Sequence, residues 1–327
     1  MKTNFITKAV LVIATALLFQ SCEKDDGLES IISNPSLETS DVKKNSPNYS
    51  LSSWMRVING NTNLSALSIP GTHDSGARYD SSFFSGTAKC QDLTIGEQLR
   101  SGTRFLDIRC RHINNNFAIH HGAVYQKLNF TDVVNYCYDF LNRNPTETII
   151  MSVKEEHDPS NNNRSFEATL DSYINKNASK WYLGEHIPTL NTVRGKIVLL
   201  RRFHARNKPK GIDVTKWKDN TTFTINNGKE VLRIQDRYKI SSNGTKWNKI
   251  TSLLSDAKNG NRRTMYINFT SGYQSNWLGI PSIPKVSNNI NPKITNYFNH
   301  NRAGRYGAIL MDFATASRNK LIIETNF

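Results

Sequence analysis

The chain has 327 residues, 10% of them aromatic, enough for one large domain with a real core, and nothing in it repeats at a fixed period, which excludes a solenoid or a propeller. Its 42 Lys and Arg against 27 Asp and Glu give a formal charge of +15, which points to an anionic partner. The basic residues are scattered and no nucleic-acid motif appears, so an acidic membrane or a phosphorylated substrate ranks ahead of nucleic acid.

Lys2 and Lys8 bracket a polar opening, and residues 9–19 then run almost wholly apolar. That run is too short to span a bilayer comfortably and has the layout of a secretory signal peptide, assigned to residues 1–21. Leu18-Phe19-Gln20-Ser21-Cys22 follows, a small residue before a cysteine as at a bacterial lipoprotein processing site. Cys22 is therefore expected to become the acylated first residue of the mature chain, whose charge without Lys2 and Lys8 is +15 − 2 = +13. The competing expectation is ordinary cleavage nearby, with Cys22 lost or free. Residues 22–50 form a polar tether that can bury little. Its acidic opening, Glu23-Lys24-Asp25-Asp26, resembles a signal for display on the outer surface. The expected address is outside the cell, lipid-anchored at the outer membrane or cell surface, or secreted.

From residue 51 onward short β-like runs alternate with longer helical ones. Residues 66–70 read as a first strand, and Thr94 and Glu97 have the spacing of a capping box that opens a helix through Arg100. Residues 104–112 alternate strictly as a strand, and residues 117–121 follow after an Asn114-Asn115-Asn116 turn. Thr131 is a candidate cap for a helix with Val133, Val134, Cys137, Phe140 and Leu141 on one face, stopped by Pro145. Further strands are expected at 148–153, 196–200, 231–238, 265–269 and 308–312, with amphipathic segments such as 166–174 and 247–254 between most of them. Near-continuous apolar strands separated by helices predict a parallel sheet covered on its outer side. With about seven such units in one domain, 51–327, the expected fold is an irregular (β/α) barrel rather than an open doubly wound sheet. No phosphate-binding glycine motif pulls the other way. Beyond Cys22 the cysteines are Cys90, Cys110 and Cys137. This odd set without CxxC spacing argues against a zinc site or a disulfide framework, though one bridge is allowed.

Polar residues fall at the ends of these strands, where barrel chemistry sits. His73 and Asp74 leave the first strand in a Gly/Pro turn. The period of two puts Asp107, Arg109 and Arg111 on one face, with Leu106, Ile108 and Cys110 on the other. His120 and His121 point opposite ways; Ser152, Lys154 and Glu156 share a face, as do Asp236 and Tyr238, and Asp312 closes the last strand. Two histidines and an arginine at one mouth suit phosphodiester cleavage. Histidine serves as base or acid near neutrality, and the guanidinium fork matches phosphate.

The ordered segments SIPGTHDSG, TRFLDIR, AIHHG, ETIIMSVKEE, GKIVLLRR, IQDRYK and YINFTSG resemble the bacterial phosphatidylinositol-specific phospholipases C over residues 54–320. The resemblance implies a distorted, partly open TIM-type barrel. It also implies a two-step reaction: the inositol 2-hydroxyl attacks its own phosphorus and expels diacylglycerol, and water then opens the cyclic phosphate. Residue by residue, it makes His73 the general base and Asp312 its orienting carboxylate. His121 becomes the general acid with Asp74 as partner, and Arg109 the phosphate-binding cation. Lys154, Arg202, Asp236 and Tyr238 take ring-binding positions, supported by Asp107 and Glu156. Arg109 stands where calcium-dependent relatives use a metal, so no metal or other cofactor is expected. The implied partner is an inositol phospholipid, free or as a glycosylated anchor, met by a monomer at a membrane surface. The membrane-contacting aromatics align poorly, with Trp54, Phe83, Phe84, Tyr273 and Trp277 as candidates.

Plainer roles compete for several of these residues. Arg109 can pair with Asp107, Lys154 can pair with Glu156, and Asp312 can be a turn residue or helix cap. His112, His157, His186, His204 and His300 read as surface or structural, and His120 as scaffold. Two other functions compete with the lipase reading. One is a metal-dependent glycerophosphodiester hydrolase using Asp74, Asp107 and Glu156 around a histidine. The other is a catalytically silent lipoprotein that binds inositol headgroups.

Overall fold

The computed structural model describes residues 47–327, which fall in a single compact unit. The expected leader, Cys22 and nearly all of the expected tether lie outside the described residues. In chain order, β1 is Ser68–Thr72, α1 Ile95–Arg100, β2 Phe105–Ile113, β3 Asn116–His121, β4 Val124–Asn129, α2 Phe130–Arg143, β5 Ile149–Glu155 and α3 Phe166–Ile174. There follow β6 Trp181–Tyr182, α4 Leu190–Val193, β7 Ile197–Arg201, β8 Ile212–Asp213, β9 Thr222–Asn226, β10 Val231–Gln235 and α5 Asn243–Asn259. The chain ends with β11 Met265–Phe269, β12 Gln274–Ser275, β13 Pro281–Ser282, α6 Pro284–His300, β14 Gly307–Met311 and α7 Ala316–Glu324.

The main sheet runs β6-β7-β5-β2-β1-β14-β11-β10-β9, parallel throughout except for the last pair. Period-two alternation sorts its side chains into two layers. Phe105, Ile150, Val198, Leu200, Ala308 and Leu310 join the interior cluster. Their chain neighbours Leu106, Met151, Ile197 and Leu199 pack outward with residues of α2 and α3, and Ile309 and Met311 with residues of α5, α6 and α7. This is the doubly buried pattern that makes parallel strands read as unbroken apolar runs. The barrel is distorted and incomplete: β6 and β9 end the sheet without pairing to each other, and β9 is antiparallel.

Local departures from the sequence reading have local causes. The cap of α2 is Asn129, which makes a reciprocal capping box with Asp132, so Thr131 sits inside the helix rather than before it. The expected strand over 231–238 stops at Gln235, so Asp236 and Tyr238 lie beyond its end. The asparagine turn forms as expected, with Asn114 and Asn115 at φ 50° and 57°, left-handed values that asparagine tolerates. It joins β2 to β3, and β4 pairs with β3 beyond, a hairpin that lies off the barrel path.

Away from the strand exits, the fold is pinned by one buried ion pair. Arg104 donates to Glu147 Oε2 from Nε at 3.0 Å and from Nη2 at 2.8 Å, and both side chains are fully buried. The same guanidinium donates to the carbonyls of Leu51, Ser52, Leu99 and Thr103, and Glu147 also accepts from the Met55 N–H. Trp54 is buried alongside, its indole N–H donating to Gly102 O at 3.0 Å. It is therefore a core residue and not a membrane-contacting aromatic.

Candidate active site

The site grows from the exits of β14, β1, β2, β5, β7 and β10. Within β1, a Cβ on Gly71 would sit 3.0 Å from both the Leu310 and Phe105 side chains, tighter than ordinary contact, so a larger residue there would push its neighbours aside. After Thr72 the chain turns sharply, with Asp74 in the left-handed region at φ 36°. Ser75 fastens this turn to β2 by accepting from the Asp107 N–H at 2.8 Å.

Thr72 pairs with Met311 across β1 and β14, so the residues that follow, His73 and Asp312, emerge side by side. His73 Nδ1 lies 2.7 Å from Asp312 Oδ1, and both side chains are buried. The Gln91 amide donates to the carbonyls of His73 and Met311, each at 2.8 Å, and holds the two strand exits together. The His73 and His121 rings stand nearly perpendicular, with centroids 6.3 Å apart and an interplanar angle of 89°.

His121 ends β3, and it is this histidine that lines the cavity with His73. His120 turns away towards Tyr125 and His157. The pairing expected between His121 and Asp74 is looser than a hydrogen bond. Nδ1 stands 3.8 Å from Asp74 Oδ2, and its hydrogen bond goes instead to Ala88 O at 2.7 Å. Burial, and then Arg109, lower the His121 pKa. Burial also pushes the Asp74 carboxyl up to about 7, against the pull of Arg109 and His73.

Register also sets a row of cations. Arg109 pairs with Lys154 across β2 and β5, and Arg202 follows immediately after the Val153–Arg201 pair of β5 and β7. Arg109 donates to Asp107 Oδ2 from Nε at 3.2 Å and from Nη2 at 3.1 Å, while Arg202 Nη1 lies 3.5 Å from Asp107 Oδ1. Burial raises the Asp107 carboxyl, but these two guanidiniums outweigh it and hold it well below the usual carboxylate range. Lys154 Nζ meets Glu156 at 2.6 Å. Glu156 is held at about 2, with burial overcome by Arg109 and Lys154.

The remaining wall carries Asp236 and Tyr238, both facing the cavity, together with two residues that the sequence reading missed. Trp217 stacks under Arg202, with the guanidinium carbon 3.8 Å from its ring centroid, and donates from Nε1 to Asp236 Oδ2 at 2.9 Å. Asp219 accepts from the Tyr238 hydroxyl at 2.7 Å. Neither lies on a strand or helix, so no periodicity could have marked them. Lys246 lies behind this wall and does not line the cavity. It is fully buried, donating to Arg237 O and Phe269 O at 2.6 Å each, and burial pushes its ammonium down to about 7.

One cavity is thus lined by His73, Arg109, His121, Lys154, Glu156, Arg202, Asp236 and Tyr238, with Asp74, Asp107 and Asp312 buried and held against its residues. Arg111 leaves this row and donates to Asp158 O, and Ser152 is buried. Tyr273 also lines the cavity, while Phe83 and Trp277 are 87% and 88% exposed and Phe84 is 52% exposed. The loops bearing these aromatics meet where Ile283 N donates to Gly86 O, and Thr87 and Pro281 carry them to the cavity rim. Cys90, Cys110 and Cys137 are all free and buried, so the allowed bridge does not form. Among the described residues, the sets close enough to hold an ion are His73–Cys90–Asp312 and Asp74–Cys90–His121. The set of Asp74, Asp107 and Glu156 is not among them, and there Asp107 is paired with Arg109 and Glu156 with Lys154.

Comparison with known proteins extends this picture. A sequence profile of the phosphatidylinositol-specific phospholipase C X domain matches residues 67–203. The 1-phosphatidylinositol phosphodiesterase of Staphylococcus aureus is 33% identical over 275 residues, 80% of this chain and 88% of that protein. The protein of the same description from Listeria monocytogenes is 31% identical over 282 residues, 84% of each chain. A solved structure of the Staphylococcus aureus phosphatidylinositol-specific phospholipase C, from work on modulating its membrane binding, superposes with a TM-score of 0.77. It is 32% identical, over 85% of this chain and 98% of that one.

Proposed function

The chain belongs to the family of bacterial phosphatidylinositol-specific phospholipases C, and from that membership we propose how its own residues cleave phosphatidylinositol to diacylglycerol and inositol 1,2-cyclic phosphate. His73 Nε2 takes the proton of the inositol 2-hydroxyl as that oxygen bonds to phosphorus, and Asp312, on Nδ1, orients the ring and stabilises its cationic form. As the bond from phosphorus to the diacylglycerol oxygen breaks, His121 delivers a proton to the leaving oxygen. Arg109 spreads its charge over the phosphoryl oxygens. In the second step a water replaces the leaving oxygen and the two histidines exchange roles.

One observation carries this reading: His73, backed by Asp312, and His121 stand 6.3 Å apart and nearly perpendicular in a cavity that Arg109 also lines. At that spacing both imidazoles come within hydrogen-bond reach of oxygens bonded to one phosphorus. His121 must carry a proton to act as acid, although the free site lowers its pKa. A bound phosphodiester anion supplies the missing negative charge and favours the imidazolium. Lys154, Arg202, Asp236 and Tyr238 offer donors, acceptors and an aromatic face to the ring, with Asp107 and Glu156 holding the cations in position. No step needs a metal, because Arg109 supplies the fixed positive charge.

The membrane side of the reading rests on Phe83, Phe84, Trp277 and Leu278, exposed on the loops that border the cavity, and on the excess of basic residues. We infer an exported enzyme, anchored through Cys22 and acting as a monomer, since the cavity is complete within one chain. No described helix is long and apolar enough to cross a membrane. Phosphorus NMR of the purified protein with phosphatidylinositol in excess EDTA tests the reaction. A cyclic inositol phosphate signal is expected, and product that forms only after a divalent metal is restored overturns the metal-free mechanism.

A further inference from the structure

The mouth holds one group that the reaction above does not use. Cys90 is fully buried, and its Sγ lies 3.7 Å from Nδ1 of His121. The same nitrogen is 3.8 Å from Oδ2 of Asp74. One ligand atom from each of Asp74, Cys90 and His121 falls within 4.8 Å of the others. In tetrahedral zinc, a metal–sulfur bond of about 2.3 Å and metal–nitrogen or metal–oxygen bonds of about 2.0 Å set the ligand atoms about 3.3–3.6 Å apart. The two measured edges are longer only by a few tenths of an ångström, within reach of small side-chain rotations.

Asp74 points to a ligand independently. It is fully buried, and neither of its carboxylate oxygens accepts a hydrogen bond. A buried carboxylate left without donors wants a proton or a cation. The nearest charge, Arg109, approaches only to 3.8 Å and is engaged by Asp107. His73 and Asp312 form a similar group around the same sulfur, but His73 Nδ1 is bonded to Asp312 Oδ1 at 2.7 Å, which leaves one unpartnered carboxylate oxygen there against two on Asp74.

We propose that Asp74, Cys90 and His121 form a binding site for a thiophilic divalent cation such as zinc, and that filling it switches the enzyme off. The Cys90 thiol gives its proton to solvent. His121 binds through Nδ1 as the neutral tautomer protonated on Nε2, surrendering its hydrogen bond to Ala88 O, and Asp74 supplies a carboxylate oxygen. No electron moves. A dication is tolerated beside Arg109 because Asp107, Glu156 and Asp312 add negative charge around the mouth. The path in is through His121, which the cavity exposes. With Nδ1 fixed on a metal, the imidazole can no longer cycle through its cationic form. The inhibitory half of the proposal rests on the acid role assigned above, whereas the binding half does not.

The test is titration of the EDTA-stripped protein, in a Cys22→Ser background, with Cd²⁺ and Zn²⁺. Thiolate-to-cadmium charge-transfer absorption is recorded beside turnover. The expected result is one Cd²⁺ per chain with a thiolate band. Binding should weaken by about 100-fold or more in both Cys90→Ala and Cys90→Ser and stay intact in Cys137→Ala. Without metal, Cys90→Ala should turn over like the parent and resist zinc. Absence of the band, or its survival in either Cys90 variant, overturns the site. Zinc inhibition that persists in Cys90→Ala overturns the switch. If the parent shows no turnover at all, the proposed reaction fails while the absorption band still decides the site.

Discussion

Nδ1 of His73 and Oδ1 of Asp312 are 2.7 Å apart, on the exits of adjacent parallel strands whose register places them side by side. Replacing Asp312 by Asn keeps the size but removes the charge that stabilises the imidazolium. We expect kcat to fall by about 10²–10⁴-fold, with KM little changed and the melting temperature preserved. A loss below tenfold in a steady-state assay would show that Asp312 is a turn residue.

The two histidines should be comparably severe. His73→Ala and His121→Ala are each expected to cost about 10²–10⁴-fold in kcat. Circular dichroism should show the parent fold in both, because neither side chain belongs to the apolar clusters. Near-parent turnover in either variant removes it from the proton chemistry.

Arg109→Lys keeps a positive charge but loses the planar fork that binds Asp107 with two nitrogens at 3.1 and 3.2 Å. The expected outcome is a drop in kcat/KM of at least about tenfold, carried by kcat, since the lost interaction is strongest in the transition state. A change confined to KM would assign Arg109 to ground-state binding.

Asp74 should make stability fall as pH rises. Its carboxyl is raised to about 7 in the folded protein against about 3.9 unfolded, so the folded state binds more protons between those values. The stabilisation is complete below pH 4 and lost as pH climbs through 7. Glu156, held at about 2, acts oppositely, and its contribution disappears as pH falls from above 4 towards 2. Asp74→Asn should flatten the upper window only. Thermal melts of both proteins from pH 4 to 8 measure this, and parallel curves contradict it.

Glu147→Ala strips the buried Arg104 of its ion-pair partner and leaves Met55 N–H without its acceptor. A loss of about 3–5 kcal/mol in urea unfolding is expected. Because Glu147 lies away from the cavity, kcat of the protein that stays folded should be unchanged.

Much of this was legible in the sequence because strand exits in a barrel follow from alternation. A residue that follows an apolar strand, as Asp312 does, or shares a face with its polar members, as Arg109 does, already has its direction fixed. The opposite senses of His120 and His121 came from the same rule. What the rule could not supply was distance across the mouth. The Ala88 carbonyl, brought in by a loop with no periodicity, takes the His121 hydrogen bond that Asp74 was expected to take. Trp217 and Asp219 were invisible for a similar reason, since an irregular segment carries them. Trp54 was misread because an aromatic outside any periodic segment gives no sign of its burial, which here comes from packing beside the Arg104–Glu147 pair.

The unclosed sheet divides the molecule's labour. The residues proposed for the proton chemistry follow β14 and β1, in the continuous part of the wall, and end β3, which pairs with β2 off the barrel path. Arg202, Trp217, Asp219, Asp236 and Tyr238 all come from the stretch that runs from the end of β7, across the seam, to the end of β10. Insertions or deletions in that stretch need not disturb the register that sets His73 beside Asp312. Such a scaffold can alter most of its headgroup contacts by editing a single flank, Lys154 on β5 being the exception, while the strand register that carries the reaction stays in place.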